Sequence, residues 1–92
     1  MRKIRLLDEA YLDLQVGHRF YEKQAPGLGG YFLDSLISDI DSLAVYAGIH
    51  PTCFGSYHRM LSKRFPFAIY YRIHSGEILK IRVIRVQLGI GL

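Results

Sequence analysis

A break at residues 25–30, Ala-Pro-Gly-Leu-Gly-Gly, divides the first half of the chain into two helical patterns. Proline cannot continue a helix, and glycine readily takes the left-handed conformation that ends one, so the chain is expected to turn here. Apolar side chains recur at helical spacing from Asp8 to about Gln24, and again from Tyr31 to about Ala47. Asp8 is the expected N-cap of the first helix. The sequence therefore predicts two helices joined as an antiparallel hairpin.

The rest of the chain carries strand patterns. Segments rich in β-branched and aromatic residues follow the second helix at Tyr57–Leu61, Phe67–Ile73 and Ile78–Val86. An alternating segment, Arg2–Leu7, predicts another strand before the first helix. The order βααβββ predicts an α+β fold in one domain, residues 1–92, with the helical hairpin packed on a mostly antiparallel sheet.

The last strand pattern predicts which side chains face the helices. Leu79, Ile81 and Val83 alternate with Lys80 and Arg82. Because successive strand residues point to opposite faces, we expect the apolar set to pack on the helices and the basic set to face solvent.

Charge is distributed unevenly along the chain. Residues 1–46 carry five Lys or Arg against seven Asp or Glu, a net charge of −2, whereas residues 47–92 carry seven Lys or Arg against one Glu, a net charge of +6. This asymmetry indicates either an anionic partner for the second half or a solvated basic surface. The candidate partner-binding residues are Arg59, Arg64, Arg72, Lys80, Arg82 and Arg85.

The sequence shows no pattern typical of a catalytic or metal site. No two of its His or Cys residues have metal-ligand spacing, and the glycines of the 25–30 break join two helices rather than the strand and helix of a phosphate loop. His58, beside Arg59, could act as an acid or base, but a strand histidine is more often structural. We therefore expect no catalytic residue, no metal and no cofactor.

Features of the sequence favour a cytoplasmic protein. Cys53 is the only cysteine, so no disulfide can form within the chain, which is typical of a reducing compartment. No basic and apolar leader precedes the first strand pattern, and no apolar run approaches the roughly 20 residues that span a bilayer. We expect no contact with a membrane.

An ordered set of short motifs resembles the ParE/RelE superfamily of bacterial toxins over most of the chain. The motifs are Glu9–Leu14, Tyr21-Glu22, Pro26–Gly29 followed by Phe32, Arg59–Leu61 and Arg64–Tyr71. The last of them, Arg-Phe-Pro-Phe-Ala-Ile-Tyr-Tyr, resembles ParE and the ParE-like plasmid-stabilisation toxins more than RelE. The resemblance implies the βααβββ fold and the toxin of a type II toxin–antitoxin system.

The resemblance also implies partners. Such a toxin is neutralised by a cognate antitoxin, here expected to be acidic, whose flexible segment folds over the toxin. ParE-type toxins poison DNA gyrase without known chemistry of their own, whereas RelE-type toxins cut mRNA on the ribosome. The resemblance to ParE therefore implies DNA gyrase as the target, and a RelE-like ribosome-dependent mRNA endoribonuclease is the alternative.

Departures from the RelE pattern argue against an enzyme. RelE-type toxins place catalytic basic residues on the middle strands and near the chain end, with a C-terminal Tyr. Here Phe67 stands at one such middle-strand position, and Gln87–Leu92 holds no Arg, His or Tyr. The ending Leu88–Leu92 also departs from ParE-like chains, which implies a weakened toxin that still binds its antitoxin.

A third class left open is a small basic nucleic-acid-binding domain. Aromatic side chains of the strands could stack on bases in such a domain: Phe65, Phe67, Tyr70 and Tyr71. Because neighbouring strand residues point to opposite faces, at most half of these rings can line one surface. We expect most of them to lie in the core.

Overall fold

The structure, a computed structural model, describes residues 2–53 and 55–86, except for the side chain of Lys80. Two helices, α1 (Asp8–Glu22) and α2 (Leu28–Asp41), are followed by a single helical turn, α3 (Leu43–Tyr46). The strands are β1 (Thr52–Cys53), β2 (Tyr57–Leu61), β3 (Phe67–His74) and β4 (Glu77–Arg85). They form one sheet in the order β1-β2-β3-β4, and every neighbouring pair is antiparallel.

Both helices of the hairpin contribute to one hydrophobic core with one face of the sheet, which confirms the predicted α+β architecture. The helices bury Ala10, Leu14, Tyr21, Phe32, Leu36 and Ile40. The sheet buries Met60, Phe67, Ile69, Tyr71, Ile78, Ile81 and Val83 against them.

The chain around α1 differs from the prediction in two ways. Within the described ranges, the segment Arg2–Leu7 makes one parallel bridge, between Ile4 and Ile78, and the Arg2 N–H donates instead to the Ala44 carbonyl at 3.1 Å. In that bridge the Arg5 N–H donates to the Ile78 carbonyl at 2.9 Å. Leu7, whose backbone is extended, is the N-cap residue. Asp8 is the first helical residue, so its side chain does not cap the helix, but its negative charge interacts favourably with the positive end of the helix dipole.

The predicted second helix, residues 31–47, is in fact shifted and divided. Helix α2 begins at Leu28, inside the break, and ends at Asp41. The Ser42 hydroxyl donates to the Asp39 carbonyl at 2.6 Å at this end. A serine side chain that bonds to the preceding turn in this way competes with helix continuation, so Leu43–Tyr46 forms a separate turn.

The turn between α1 and α2 is closed by one carboxylate. Glu22 Oε2 accepts the Gly27 N–H at 3.0 Å, and Oε1 accepts the Gly29 N–H at 2.9 Å. These bonds, first to Gly27 and then to Gly29, lower the pKa of Glu22. Gly27 has a φ of 86°, and a Cβ on Gly29 would lie 2.7 Å from the His18 carbonyl oxygen, so both positions require glycine.

An irregularity in β4 overturns part of the predicted alternation. Tyr70 pairs with Arg82 and Arg72 pairs with Leu79, so Tyr71 stands opposite two residues of β4. This β-bulge shifts the alternation by one residue. Ile78, fully buried, therefore shares the core face with Ile81 and Val83, and the prediction that Leu79 lies on that face is wrong.

A polar network around Tyr71 joins the end of α3 to the sheet. The buried Tyr71 hydroxyl accepts the Gly48 N–H at 3.0 Å, so its own proton is directed to His50 Nδ1, with which it is also hydrogen-bonded. The His58 ring stacks on Tyr71, and His58 Nδ1 donates to the His50 carbonyl at 2.9 Å. His50 must be neutral to accept at Nδ1. Burial, and to a lesser extent the charge of His58, lowers the pKa of His50.

Replacing Glu22 with Gln is expected to lower the unfolding midpoint at neutral pH, since an amide cannot accept both backbone bonds through two carboxylate oxygens. Because the folded pKa is lowered, the carboxylate stabilises the fold fully above its unfolded pKa, and this is lost as the pH falls through the folded pKa. Thermal unfolding from about pH 7 to about pH 3 should therefore show the unfolding midpoints of the unmodified chain and of Glu22→Gln becoming equal in acid. Asp34→Asn, a substitution at an exposed residue of α2, is the control. A difference in unfolding midpoint between Glu22→Gln and the unmodified chain that persists at the lowest pH contradicts this account.

Replacing His50 with Gln is expected to reduce the sensitivity of the fold to mild acid. With a lowered folded pKa, neutral His50 stabilises the fold fully above the unfolded pKa of about 6.5, and this stabilisation is lost as the pH falls through the folded value. Chemical unfolding should show that the free energy of unfolding of the unmodified chain falls as the pH is lowered below about 6.5. The free energy of unfolding of His50→Gln should fall less over the same pH range. His74→Gln, at the exposed end of β3, should keep the unmodified profile; equal profiles for all three would refute the assignment.

Replacing Tyr71 with Phe is expected to lower the free energy of unfolding by about 1–2 kcal/mol, because the Gly48 N–H and His50 Nδ1 both lose their partner while the ring packing is kept. Urea unfolding at neutral pH measures this change. Tyr46→Phe, an exposed tyrosine on α3, is the matched control. A Tyr71→Phe chain as stable as this control would show that the hydroxyl contributes nothing.

Candidate functional site

The face of the sheet opposite the helices, here called the outer face, carries side chains in cross-strand rows. A basic row and an apolar row follow directly from the register of β2, β3 and β4. A third row is defined by the pairing of Arg72 with Leu79 and by the position of the Arg72 guanidinium over the Tyr57 ring. The rows are Arg59–Tyr70–Arg82, Leu61–Ala68–Ile84 and Tyr57–Arg72–Leu79.

Two arginines of the outer face are held by tyrosine rings. Arg59 Nε donates to the Tyr70 hydroxyl at 3.1 Å, and its guanidinium carbon lies 5.9 Å from the centre of that ring. The guanidinium carbon of Arg72 lies 5.5 Å from the centre of the Tyr57 ring. Both arginines are half-buried. Cation–π contacts orient these groups without neutralising their charge.

Arg82, by contrast, is neutralised by a carboxylate of α1. Its Nε and Nη2 donate to the two oxygens of Asp13 at 2.8 and 3.0 Å. The Val83 N–H, at the free edge of β4, donates to the same carboxylate at 2.9 Å. These bonds, and then the charge of Asp13, raise the pKa of Arg82. Asp13 thus fixes α1 to the edge of the sheet.

The remaining predicted residues lie apart from these rows. Arg64 is exposed in the loop between β2 and β3, which is anchored where the Ser62 hydroxyl donates to the buried Asp39 carboxylate at 2.7 Å. Arg85 lies on the helix side, with its guanidinium 4.8 Å from the centre of the Phe20 ring. The side chain of Lys80 lies outside the described part of the structure. The structure therefore brings together Arg59, Arg72 and Arg82 from the predicted set.

The arginines of the outer face differ in whether they form an ion pair. Within residues 2–53 and 55–86, ion pairs join only Arg5 to Glu77, at 3.7 Å, and Arg82 to Asp13. Arg59 and Arg72 therefore have no carboxylate partner in this part of the chain. Among the side chains that the structure describes, they are the charged groups of the outer face that remain open to an anion.

The aromatic residues considered for base stacking lie mostly in the core, as expected. Tyr71 is fully buried and Phe67 nearly so. Phe65 packs on Tyr21 and Phe32, with ring centres 4.8 and 5.2 Å apart. Tyr70 lies on the outer face, beside Arg59. His58 stacks on Tyr71, which agrees with a structural role.

An apolar groove lies beside the outer face, between α1 and β4. It has a volume of about 310 Å³, and its apolar lining includes Val16, Phe20 and Ile84. Val16 is 59% exposed and Phe20 is 40% exposed, although both are large apolar residues of a helix. Ile84 belongs to the apolar row as well, so the groove and the outer face are continuous.

Sequence reasoning missed Asp13 and the apolar row. The partner of Asp13 is 69 residues away along the chain, so no local signal could reveal the pair. Leu61 and Ile84 carried a signal in their strand alternation, since each is flanked by residues of the opposite face.

Two further features are absent from the described ranges. No group of three or more His, Cys, Asp or Glu residues there could hold a metal ion. No helix in that part of the chain is long and apolar enough to cross a membrane.

Comparison with known proteins gives a likeness of fold. No protein-family model matches the chain, and no curated protein matches it. A chain from a solved structure described as "Chromosomal ParDE TA system from P. aeruginosa" superposes with a TM-score of 0.86. The match covers 95% of this chain and 98% of that one, at 20% sequence identity. The chain therefore shares the fold of that chain from a ParDE system.

Proposed function

We propose that this protein is the ParE-like toxin of a type II toxin–antitoxin system, neutralised by a cognate acidic antitoxin and acting on DNA gyrase in the cytoplasm. The observation that carries the proposal is the likeness of fold, over nearly the whole chain, to a chain from a ParDE system. The ordered motifs, which resemble ParE more than RelE, support the same assignment.

Two surfaces support a protein partner for this toxin. The groove between α1 and β4 leaves Val16 and Phe20 largely exposed, and contiguous exposed apolar surface is typical of an interaction site. On the outer face of the sheet, Arg59 and Arg72 have no carboxylate partner in the described ranges. An acidic antitoxin segment with apolar residues would cover the groove and supply the missing carboxylates.

The alternative, a ribosome-dependent mRNA endoribonuclease, needs a proton acceptor, a proton donor and cations at one phosphate. Arg59 and Arg72 could supply the cations. His58, next to Arg59 in the chain, and His50 are instead engaged with the buried Tyr71, whereas His74, two residues after Arg72, is exposed at the end of β3. The engagement of His58 and His50 with Tyr71 favours a toxin that acts by binding a protein. The ribonuclease is kept as the second outcome of the test below.

The end of the chain bears on the strength of the toxin. Leu88–Leu92 lies outside the described residues, and its sequence lacks the basic residues that ParE-like chains carry there. We propose on this ground that the protein is a weakened toxin which retains antitoxin binding.

The test is inducible expression of the chain in a bacterial host without a partner, with growth, the DNA-damage response and mRNA integrity recorded together. We expect slowed growth with DNA damage and intact mRNA, and inhibition of DNA supercoiling by purified gyrase. Co-expression of a small acidic protein encoded beside the toxin gene should restore growth.

Two results would change the assignment. Cleaved mRNA with intact DNA would establish the ribonuclease instead. Normal growth, together with failure of the neighbouring acidic protein to bind the purified chain, would overturn the toxin proposal altogether. Arrest as strong as that caused by an active ParE-like toxin would overturn only the idea of a weakened copy.

A further inference from the structure

We propose that the exposed face of α1 is an interface between two copies of this chain, in which the two α1 helices pack antiparallel about a two-fold axis at Val16. The observations that support this dimer come from α1 and its surroundings, and the dimer does not depend on the proposed function.

Three large apolar side chains form a stripe along the outside of α1. Leu12, Val16 and Phe20 follow one another at intervals of four residues, so they lie on one side of the helix. Leu12 is 57% exposed, Val16 is 59% exposed and Phe20 is 40% exposed. The buried residues of α1, Leu14 and Gly17 among them, lie on another side. The helix thus has a second apolar face, and contiguous exposed apolar surface is typical of an interaction site.

A charged residue lies at each end of this stripe. Glu9 is seven residues before Val16 and Lys23 is seven residues after it, and because seven residues make nearly two helical turns, the three lie in line. Lys23 is the C-cap residue, and its backbone keeps helical angles. Glu9 and Lys23 are both exposed, and within the described ranges neither forms an ion pair inside the chain. The stripe therefore has an acidic end and a basic end.

Two copies of such a stripe complement each other when the helices run antiparallel. A two-fold axis at Val16 places residues at equal distances on either side of it opposite one another. Leu12 then faces Phe20 of the second copy, and Glu9 faces Lys23 of the second copy. The symmetry repeats both contacts, so the dimer gains two ion pairs and a continuous apolar seam.

The charges disfavour other arrangements and other partners. A parallel pair would place Glu9 opposite Glu9 and Lys23 opposite Lys23, and like charges at such positions oppose pairing. A nucleic acid or an anionic membrane surface would meet the acidic end unfavourably. The stripe is therefore better matched to a second copy of itself than to a uniformly charged partner.

The neighbouring edge of β4 favours helix packing over strand pairing between the copies. At this edge the Val83 N–H donates to the Asp13 carboxylate at 2.9 Å, and the same carboxylate accepts two bonds from Arg82. A backbone donor that is already paired is not available to a strand of another chain, and charged groups at an edge oppose such pairing. Val16 and Phe20 also line the groove beside β4, so a second helix packed on them would cover that groove.

The size of the stripe indicates a weak and reversible dimer. From Glu9 to Lys23 the helix is about 21 Å long. Packed helices lie about 8–10 Å apart, so a single pair of helices buries less surface than a stable dimer normally needs. We therefore expect monomer and dimer to exchange as the protein concentration changes.

Sedimentation velocity on the full chain, from about 1 μM to about 1 mM, tests the dimer through its dependence on concentration. Glu9→Lys places like charges opposite each other at two points of the dimer, and so does Lys23→Glu. Each substitution should weaken dimerisation by about tenfold. An equal mixture of the two variants should restore it, because positions 9 and 23 then carry opposite charges at both ends of the helix pair.

A further variant separates these contacts from the effect of net charge. Asp34→Lys, a substitution at an exposed residue of α2, changes the net charge as much as Glu9→Lys does and should leave dimerisation unchanged. Lys23→Glu lowers the net positive charge of the chain, so general repulsion alone would strengthen its dimer rather than weaken it. Circular dichroism spectra that match that of the unmodified chain show that each variant is folded.

A cysteine at the axis gives a test that does not depend on charge. With Cys53 replaced by Ser, Val16→Cys should form a disulfide between two copies when oxygen oxidises the two thiols, because a residue at a two-fold axis faces its own equivalent. Gln15→Cys, at the exposed neighbouring residue, points about 100° away around the helix and should cross-link far less. Non-reducing electrophoresis measures the fraction of linked dimer.

Three results would overturn the proposal. These are an unmodified chain that stays monomeric at every concentration, a mixture of Glu9→Lys and Lys23→Glu that associates no better than either variant alone, or equal cross-linking by Gln15→Cys and Val16→Cys.

The growth test above is independent of this dimer. Growth arrest by a chain that stays monomeric would leave the toxin and remove the dimer, and a dimer without growth arrest would do the reverse. Under the proposed function, an antitoxin segment would have to displace the second copy from Val16 and Phe20.

Discussion

The close approach of α1 and α2 at Gly17 is the constraint on which the rest of the fold depends. A Cβ on Gly17 would lie 2.4 Å from the Phe32 ring, so glycine leaves the space that this ring fills. Phe32 is fully buried, and it also contacts Phe65 in the loop between β2 and β3 and Phe67 of β3, with ring centres 5.2 and 4.9 Å away. One side chain thus joins both helices to the sheet. Dense packing of this kind tolerates little change in volume.

The polar contacts that surround this core set the angles between its parts. Glu22 closes the helical turn, Asp13 fixes α1 to the edge of β4, and Asp39 anchors the loop before β3. Each is a carboxylate of the acidic first half of the chain that accepts a backbone N–H elsewhere. The uneven charge of the sequence therefore has a structural component, because part of the acidic half serves to hold the fold together.

This use of carboxylates also explains why the basic half does not act as one uniform patch. Asp13 engages Arg82, Phe20 lies below Arg85, and tyrosines orient Arg59 and Arg72. In the sequence these arginines form one group of positive charges, whereas in the structure they contact different side chains. Arg59, which has no carboxylate partner in the described ranges, lies in the row next to the exposed Leu61, and this gives the outer face its mixed character.

The sequence by itself determined the two helices, the three long strands and their order, because helical periodicity and strand alternation are local properties of the chain. It also indicated the ParE-like fold, since the hairpin turn and the Arg-Phe-Pro-Phe run are continuous segments. Only the tertiary structure decided the β-bulge that moves Leu79 off the core face, the single bridge made by Ile4, and the pairing of Asp13 with Arg82. These features depend on contacts between residues that are distant in sequence. They also depend on the identity of the backbone groups that remain unpaired after the core has packed. Local patterns carry no record of either.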